Sequence, residues 1–133
     1  MNTIKFERVQ YVPKQLAPGI LYVSEKYSVA AHLCACGCGN KVVTPLGPAE
    51  WSFTEKMGQA SLWPSVGNWQ LPCRSHYIIG NGSIHWAGAW SDAQIAAGRS
   101  AEEHRRQVYY AEKAQSEGFL NWLWRLLQRL FGR

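Results

Sequence analysis

Every thiol of this chain lies in one of two short clusters. Cys34, Cys36 and Cys38 alternate through His32-Leu33-Cys34-Ala35-Cys36-Gly37-Cys38-Gly39, and Cys73 stands three residues before His76. Cysteines two positions apart cannot bridge one another without heavy strain, so the triplet is no disulfide framework. Gly37 and Gly39 permit the tight turn that lets successive sulfurs converge on one ion. The pattern predicts a structural Zn²⁺ site held by Cys34, Cys36, Cys38 and Cys73. An alternative set drops one of the triplet, as a small buried residue, and takes His76 through Cys73-Arg74-Ser75-His76. His32 is a more remote ligand candidate. It alternates in phase with Cys34 along a strand, which favours a partly buried, hydrogen-bonded histidine.

A chain of 133 residues has room for one ordinary core, and an apolar fraction of 47% is that of a folded protein. A metal would add folding free energy to such a small domain. Seven tryptophans are many for this length, enough to fill a thin core and leave some exposed for recognition. The formal charge of +5 is spread out: residues 1–90 carry 7 basic against 4 acidic groups, residues 91–133 carry 7 against 5. No block of lysine and arginine forms a phosphate-tracking stripe, which disfavours nucleic acid as a partner. Thiol-rich clusters without a secretory hydrophobic segment point to a reducing cytoplasm. No stretch reaches the roughly 18 apolar residues of a membrane span.

Residues 3–88 read as short strands and turns. The candidates are Ile4–Val9, Ile20–Ser24, Val29–Cys34, Lys41–Pro45, Glu50–Glu55, Ser75–Ile79 and Ser83–Trp86. Each is rich in β-branched or aromatic residues and bounded by Pro, Gly or Asn. Asn81-Gly82 is the clearest hairpin signal. The expected β portion is antiparallel, a small sandwich or half-open barrel, with the metal loop pinning two of its ends. After Ala89 the character turns helical. Ser91-Asp92-Ala93-Gln94 reads as a capping box, with Trp90 and Ile95 placed as a staple. Gly98 should end that helix, a second should run from Ser100 to about Glu117, and a third from Phe119 to Phe131. The fold class is thus α+β: a zinc-binding β-rich domain over residues 1–90, then a helical extension over 91–133.

Three blocks together resemble a known family: the cysteine run 32–39, then Ser61-Leu62-Trp63-Pro64-Ser65-Val66-Gly67-Asn68-Trp69, then Cys73-Arg74-Ser75-His76-Tyr77-Ile78. The family consists of small bacterial proteins long known only as a domain of unknown function. Its members occur alone or in operons for bacterial ubiquitin-like conjugation. The resemblance covers roughly residues 20–90. It implies a zinc-bearing fold and, for operon-linked relatives, a peptidase or deubiquitinase-like activity that trims or removes a ubiquitin-like protein. The implied partner is that protein or its conjugates.

If four cysteines hold the metal, His76 is free to act as a base. Ser75 is its neighbour, and adjacent side chains of a strand point to opposite faces, which argues against a Ser75–His76 pair. Ser65 sits in the turn-rich stretch Pro64-Ser65-Val66-Gly67-Asn68, read as a loop that presents its hydroxyl and aims donors at an oxyanion. By residue type alone Ser65 is more commonly a helix or turn cap; with the family resemblance it is the first candidate nucleophile, His76 its base, Asn68 or loop amides the oxyanion donor, and Ser75 the reserve nucleophile. Glu50 and Glu55 are the only carboxylates considered to orient His76. A metal hydrolase with an open zinc position is the competing enzyme, with His85 as a spare base, although thiolate-rich sites are usually closed.

The alternative to an enzyme is a non-catalytic zinc module that binds proteins through exposed tryptophans and the terminal helix. In that helix Leu120, Leu123, Leu127 and Leu130 share one face while Arg125, Gln128 and Arg129 sit elsewhere. Packing on the sheet is the first expectation for this face. A partner groove or homodimer seam comes next, and a membrane surface is allowed but not favoured.

Overall fold

A computed structural model describes residues 2–131. Eight strands come first in the chain: β1 (Lys5–Arg8), β2 (Ile20–Ser24), β3 (Val29–Leu33), β4 (Lys41–Pro45), β5 (Ser52–Lys56), β6 (Gln59–Gly67), β7 (His76–Gly80) and β8 (Ser83–Trp86). They form two four-stranded sheets, β1-β2-β3-β4 and β5-β6-β7-β8. All neighbours are antiparallel except β1 and β2, which pair in parallel from Lys5↔Ile20 to Arg8↔Val23. That pair corrects the expectation of a wholly antiparallel β portion: residues 9–19 are long enough to return the chain to the starting edge.

The sheets share one core. Leu21, Val23, Ala30 and Val42 of the first are buried in the same cluster as Leu62, Val66, Tyr77 and Ile79 of the second. The two-residue period of a strand produces this directly, as in β4, where Val42 and Thr44 turn inward and Lys41, Val43 and Pro45 outward. Asn81 and Gly82, at φ 48° and 74°, make the two-residue hairpin between β7 and β8.

The longest strand, β6, corrects the reading of Pro64-Ser65-Val66-Gly67 as loop and leaves Asn68 just beyond its end. Ala60 and Leu62 point into the core, and β6 pairs with β5 from Ser52↔Trp63 to Lys56↔Gln59. Along β7 the register slips: Leu62 pairs Ile79 and Val66 pairs Tyr77, so Trp63, Pro64 and Ser65 stand opposite Ile78 alone. A bulge is where a central strand tolerates a proline, which has no N–H to give the ladder. Proline and glycine in the sequence therefore marked an irregular strand, not a loop.

One helix, α1 (Asp92–Phe131), replaces the three expected. Its start is as anticipated: Ser91 N–H donates to Gln94 Oε1 at 2.8 Å, and Gln94 N–H donates to Ser91 Oγ at 3.2 Å. Gly98 and Gly118 do not break it, since a mid-helix glycine costs only about 1 kcal/mol relative to alanine, which strong helix-forming neighbours absorb. A Cβ at Gly118 would touch nothing within 4 Å. Gly118→Ala should accordingly strengthen the helix by about 1 kcal/mol, seen as a rise in helical circular dichroism. Contacts divide the chain into a unit ending at Ile95 and a second beginning at Ala96. Within α1, Ile95 is the one buried side chain among the described residues. No helix among them is long and apolar enough to cross a membrane.

Candidate active site and thiol cluster

The cysteine run leaves β3 and turns at once. Gly37 and Gly39 hold φ 89° and 82°, Gly37 N–H donates to the Cys34 carbonyl, and Cys34 N–H to that of Asn40. This knuckle meets Cys73, from the β6–β7 connection, so the cluster joins the two sheets. The four sulfurs lie within 4.8 Å of one another and can hold a metal ion. Cys34 Sγ is 3.5 Å from Cys36 Sγ, and Cys73 Sγ is 3.8 Å from both Cys34 and Cys38.

A ring of donors surrounds the sulfurs. Ser75 Oγ sits 2.9 Å from Cys34 Sγ and 3.0 Å from Cys73 Sγ. Asn68 Nδ2 donates to Cys34 Sγ at 3.5 Å and Asn40 Nδ2 to Cys38 Sγ at 3.3 Å. Such bonds favour thiolate over thiol. The backbone and side-chain amides of Asn40 pull Cys38 down to about 6. For Cys73, burial opposes ionisation, but the Ser75 hydroxyl and backbone amide prevail and lower it.

On the other side of the same backbone lies a second arrangement. Gly67 pairs His76 across the ladder, and Ser65, two positions back on β6, lies diagonally opposite. The Ser65 Oγ to His76 Nε2 distance is 2.9 Å, and His76 Nδ1 is 3.1 Å from the Gly88 carbonyl. A carbonyl only accepts, so Nδ1 carries the proton and Nε2 presents its lone pair to the Ser65 hydroxyl. Trp51 Nε1 donates to the Ser65 carbonyl at 3.4 Å, holding the bulge from beneath.

Aromatic rings enclose the imidazole. Trp69 and Trp90 lie 4.9 and 4.8 Å from it, centroid to centroid, and stack on each other at 5.8 Å. His76 is buried. Gly67 makes this possible, because a Cβ there would stand 2.5 Å from Trp69 Nε1. Arg74 lies over the Trp69 ring and pairs with Asp92 at 3.2 Å, which anchors this corner to the first turn of α1.

The sequence-derived candidates thus separate cleanly. His76 lies with Ser65, away from the thiols. Ser75 lies with the thiols, away from His76, as the alternation of a strand requires. Asn68 is buried, its amide turned to Cys34 and the Tyr77 hydroxyl, and its N–H donates to the Ser75 carbonyl. This placement removes Asn68 as an oxyanion donor. Glu55 pairs with Arg8 at 2.8 Å. His32 is fully buried with Nε2 2.6 Å from the Tyr77 hydroxyl, and burial drops its imidazole to about 4, so it is neutral and belongs to the core. Gly88, Trp69, Trp90 and Trp51 went unforeseen. Trp69 sits inside the recognised block, but a backbone carbonyl leaves no signal in residue types.

A small two-sheet β-rich body with a tetrathiol cluster and a serine–histidine hydrogen bond defines the class. A family model described as BubE, bacterial ubiquitination-like system serine protease, matches residues 8–87. The chain belongs to that family, the serine proteases of bacterial ubiquitination-like systems. No curated protein and no solved structure matches it.

Proposed function

We propose that this protein is a zinc-stabilised serine peptidase that processes or removes a bacterial ubiquitin-like protein, with Ser65 as nucleophile and His76 as general base. The observation that carries this reading is the 2.9 Å contact between Ser65 Oγ and His76 Nε2, in the tautomer enforced by Gly88. Ser65 Oγ attacks the scissile carbonyl while Nε2 takes its proton. The resulting imidazolium then gives that proton to the leaving amine, and the acyl group stays on Ser65. Water, deprotonated by Nε2, attacks the acyl carbon; the Oγ–acyl bond breaks, Nε2 returns the proton to Ser65 Oγ, and the carboxylic acid leaves. The Gly88 carbonyl does the orienting part of a triad carboxylate's work without its charge. Trp69 and Trp90 pack against the ring and hold its orientation.

Four cysteines fit a closed structural zinc site. A tetrahedral Zn²⁺ with bonds of about 2.3 Å needs sulfurs about 3.8 Å apart. Separations of 3.5, 3.8 and 3.8 Å support that fit. Zinc there would clamp the β3 knuckle to the β6–β7 connection, and all bond-making falls to Ser65 and His76.

Incubating the protein with a C-terminally extended bacterial ubiquitin-like protein tests the function. Intact mass should show the extension released, and a serine-directed phosphonate should label Ser65. Failure of both, in folded metal-bound protein, overturns the reading in favour of a binding module. Gly67→Ala offers a subtler check. The new methyl drives Trp69 toward His76, so we expect a loss of about 1–3 kcal/mol in stability and roughly tenfold or more in kcat/KM. Thermal melts and steady-state kinetics read the two separately.

A further inference from the structure

The helix beyond Gly118 carries a surface that peptidase chemistry does not use. Phe119, Leu120, Trp122, Trp124, Leu130 and Phe131 are each more than half exposed. At about 100° per residue, the five leucines and two phenylalanines of residues 119–131 fill one arc roughly 140° wide, which the two tryptophans extend to roughly 200°. Trp122 and Trp124 fall at its opposite edges, where apolar meets polar. The remaining arc holds only Asn121, Arg125, Gln128 and Arg129.

Three properties of this segment identify what covers it. The arc is far wider than the two-in-seven seam of a coiled coil, so pairing two such helices leaves much of it in water. Its edge tryptophans have the amphipathic rings that settle at the level of lipid headgroups. Its charge is of one sign: residues 118–131 contain Arg125 and Arg129 and no carboxylate, whereas residues 96–117 contain Glu102, Glu103, Glu112 and Glu117. A second copy packed on the apolar arc would leave both arginines on the far side with no carboxylate of the segment to meet. An anionic lipid surface complements it.

We propose that residues 119–131 of α1 lie in the interface of an anionic membrane, parallel to its plane, with the leucine and phenylalanine arc in the acyl boundary and Arg125 and Arg129 among the phosphates. The segment is about 20 Å long, sufficient to lie in the surface and too short to span it. The proposal is independent of the catalytic assignment.

Flotation of the full chain with vesicles tests it. The protein should rise with an equal mixture of phosphatidylcholine and phosphatidylglycerol and stay behind with phosphatidylcholine alone, and added salt should weaken binding. Arg125→Gln with Arg129→Gln should reduce vesicle affinity roughly twentyfold, since each cation contributes about a factor of five at such a surface. Leu123→Glu should abolish flotation while the thermal melt of the β-rich body stays in place. Absence of flotation with the anionic mixture overturns the proposal. So does flotation indifferent to these substitutions. A lipid-free dimer that Leu123→Glu converts to monomer, without vesicle binding, overturns it in favour of a seam between copies.

Discussion

Ser65→Ala should leave a folded, metal-loaded protein that no longer cleaves its substrate, with kcat lowered at least about a thousandfold. Ser75, the other candidate hydroxyl, cannot take its place, because it is engaged with Cys34 and Cys73. His76→Gln should cost about as much, and the double substitution little more, because nucleophile and base act as one unit. The paired control is Ser75→Ala. It removes a donor to two sulfurs, so it should weaken metal affinity about ten- to a hundredfold while phosphonate labelling of Ser65 persists in metal-saturated protein. Labelling, metal content by mass spectrometry and turnover measured on the same preparations distinguish the two serines. Turnover surviving in Ser65→Ala would refute the assignment.

The second large effect concerns the metal. Structural zinc in small domains contributes on the order of 10 kcal/mol at neutral pH, comparable to the whole stability of a domain. The thiols join a knuckle after β3 to the segment before β7, so an ion held there would tie one sheet to the other. A strong chelator, or Cys73→Ser, should therefore abolish the cooperative melt and Ser65 labelling together. Zinc addition after chelation should restore both. A catalytic metal would behave differently: activity would vanish while the melt of the metal-free protein remained.

Much of this was readable from residue types. Thiols in two clusters forecast a cluster in space, and the positive φ of Gly37 and Gly39 is what the glycines implied. Asn81-Gly82 and the capping box at Ser91 are local signals, set by short-range sterics and hydrogen bonds, and they survive any tertiary context. Strand β6 was hidden because Pro64 and Gly67 carry breaker chemistry. A bulge uses the first and a packed indole the second. The unbroken α1 was hidden for the opposite reason: a glycine weakens a helix by a small amount, and pattern reading treats it as a stop. Pairing Ser65 with His76 drew on the family resemblance, since a serine in such a stretch is more commonly a cap, and the orientation of His76 by Gly88 and Trp90 depends on where the chain returns after β8.

That return gives the imidazole a backing that mutation cannot delete. An aspartate behind a catalytic histidine is lost in one codon change, but every amino acid at position 88 brings the same carbonyl oxygen. If His76 is the base, its aim is set by the position of the short stretch between Trp86 and Ser91. On the proposed mechanism, a ligand or neighbour that shifts that stretch would change the aim of His76 without touching Ser65.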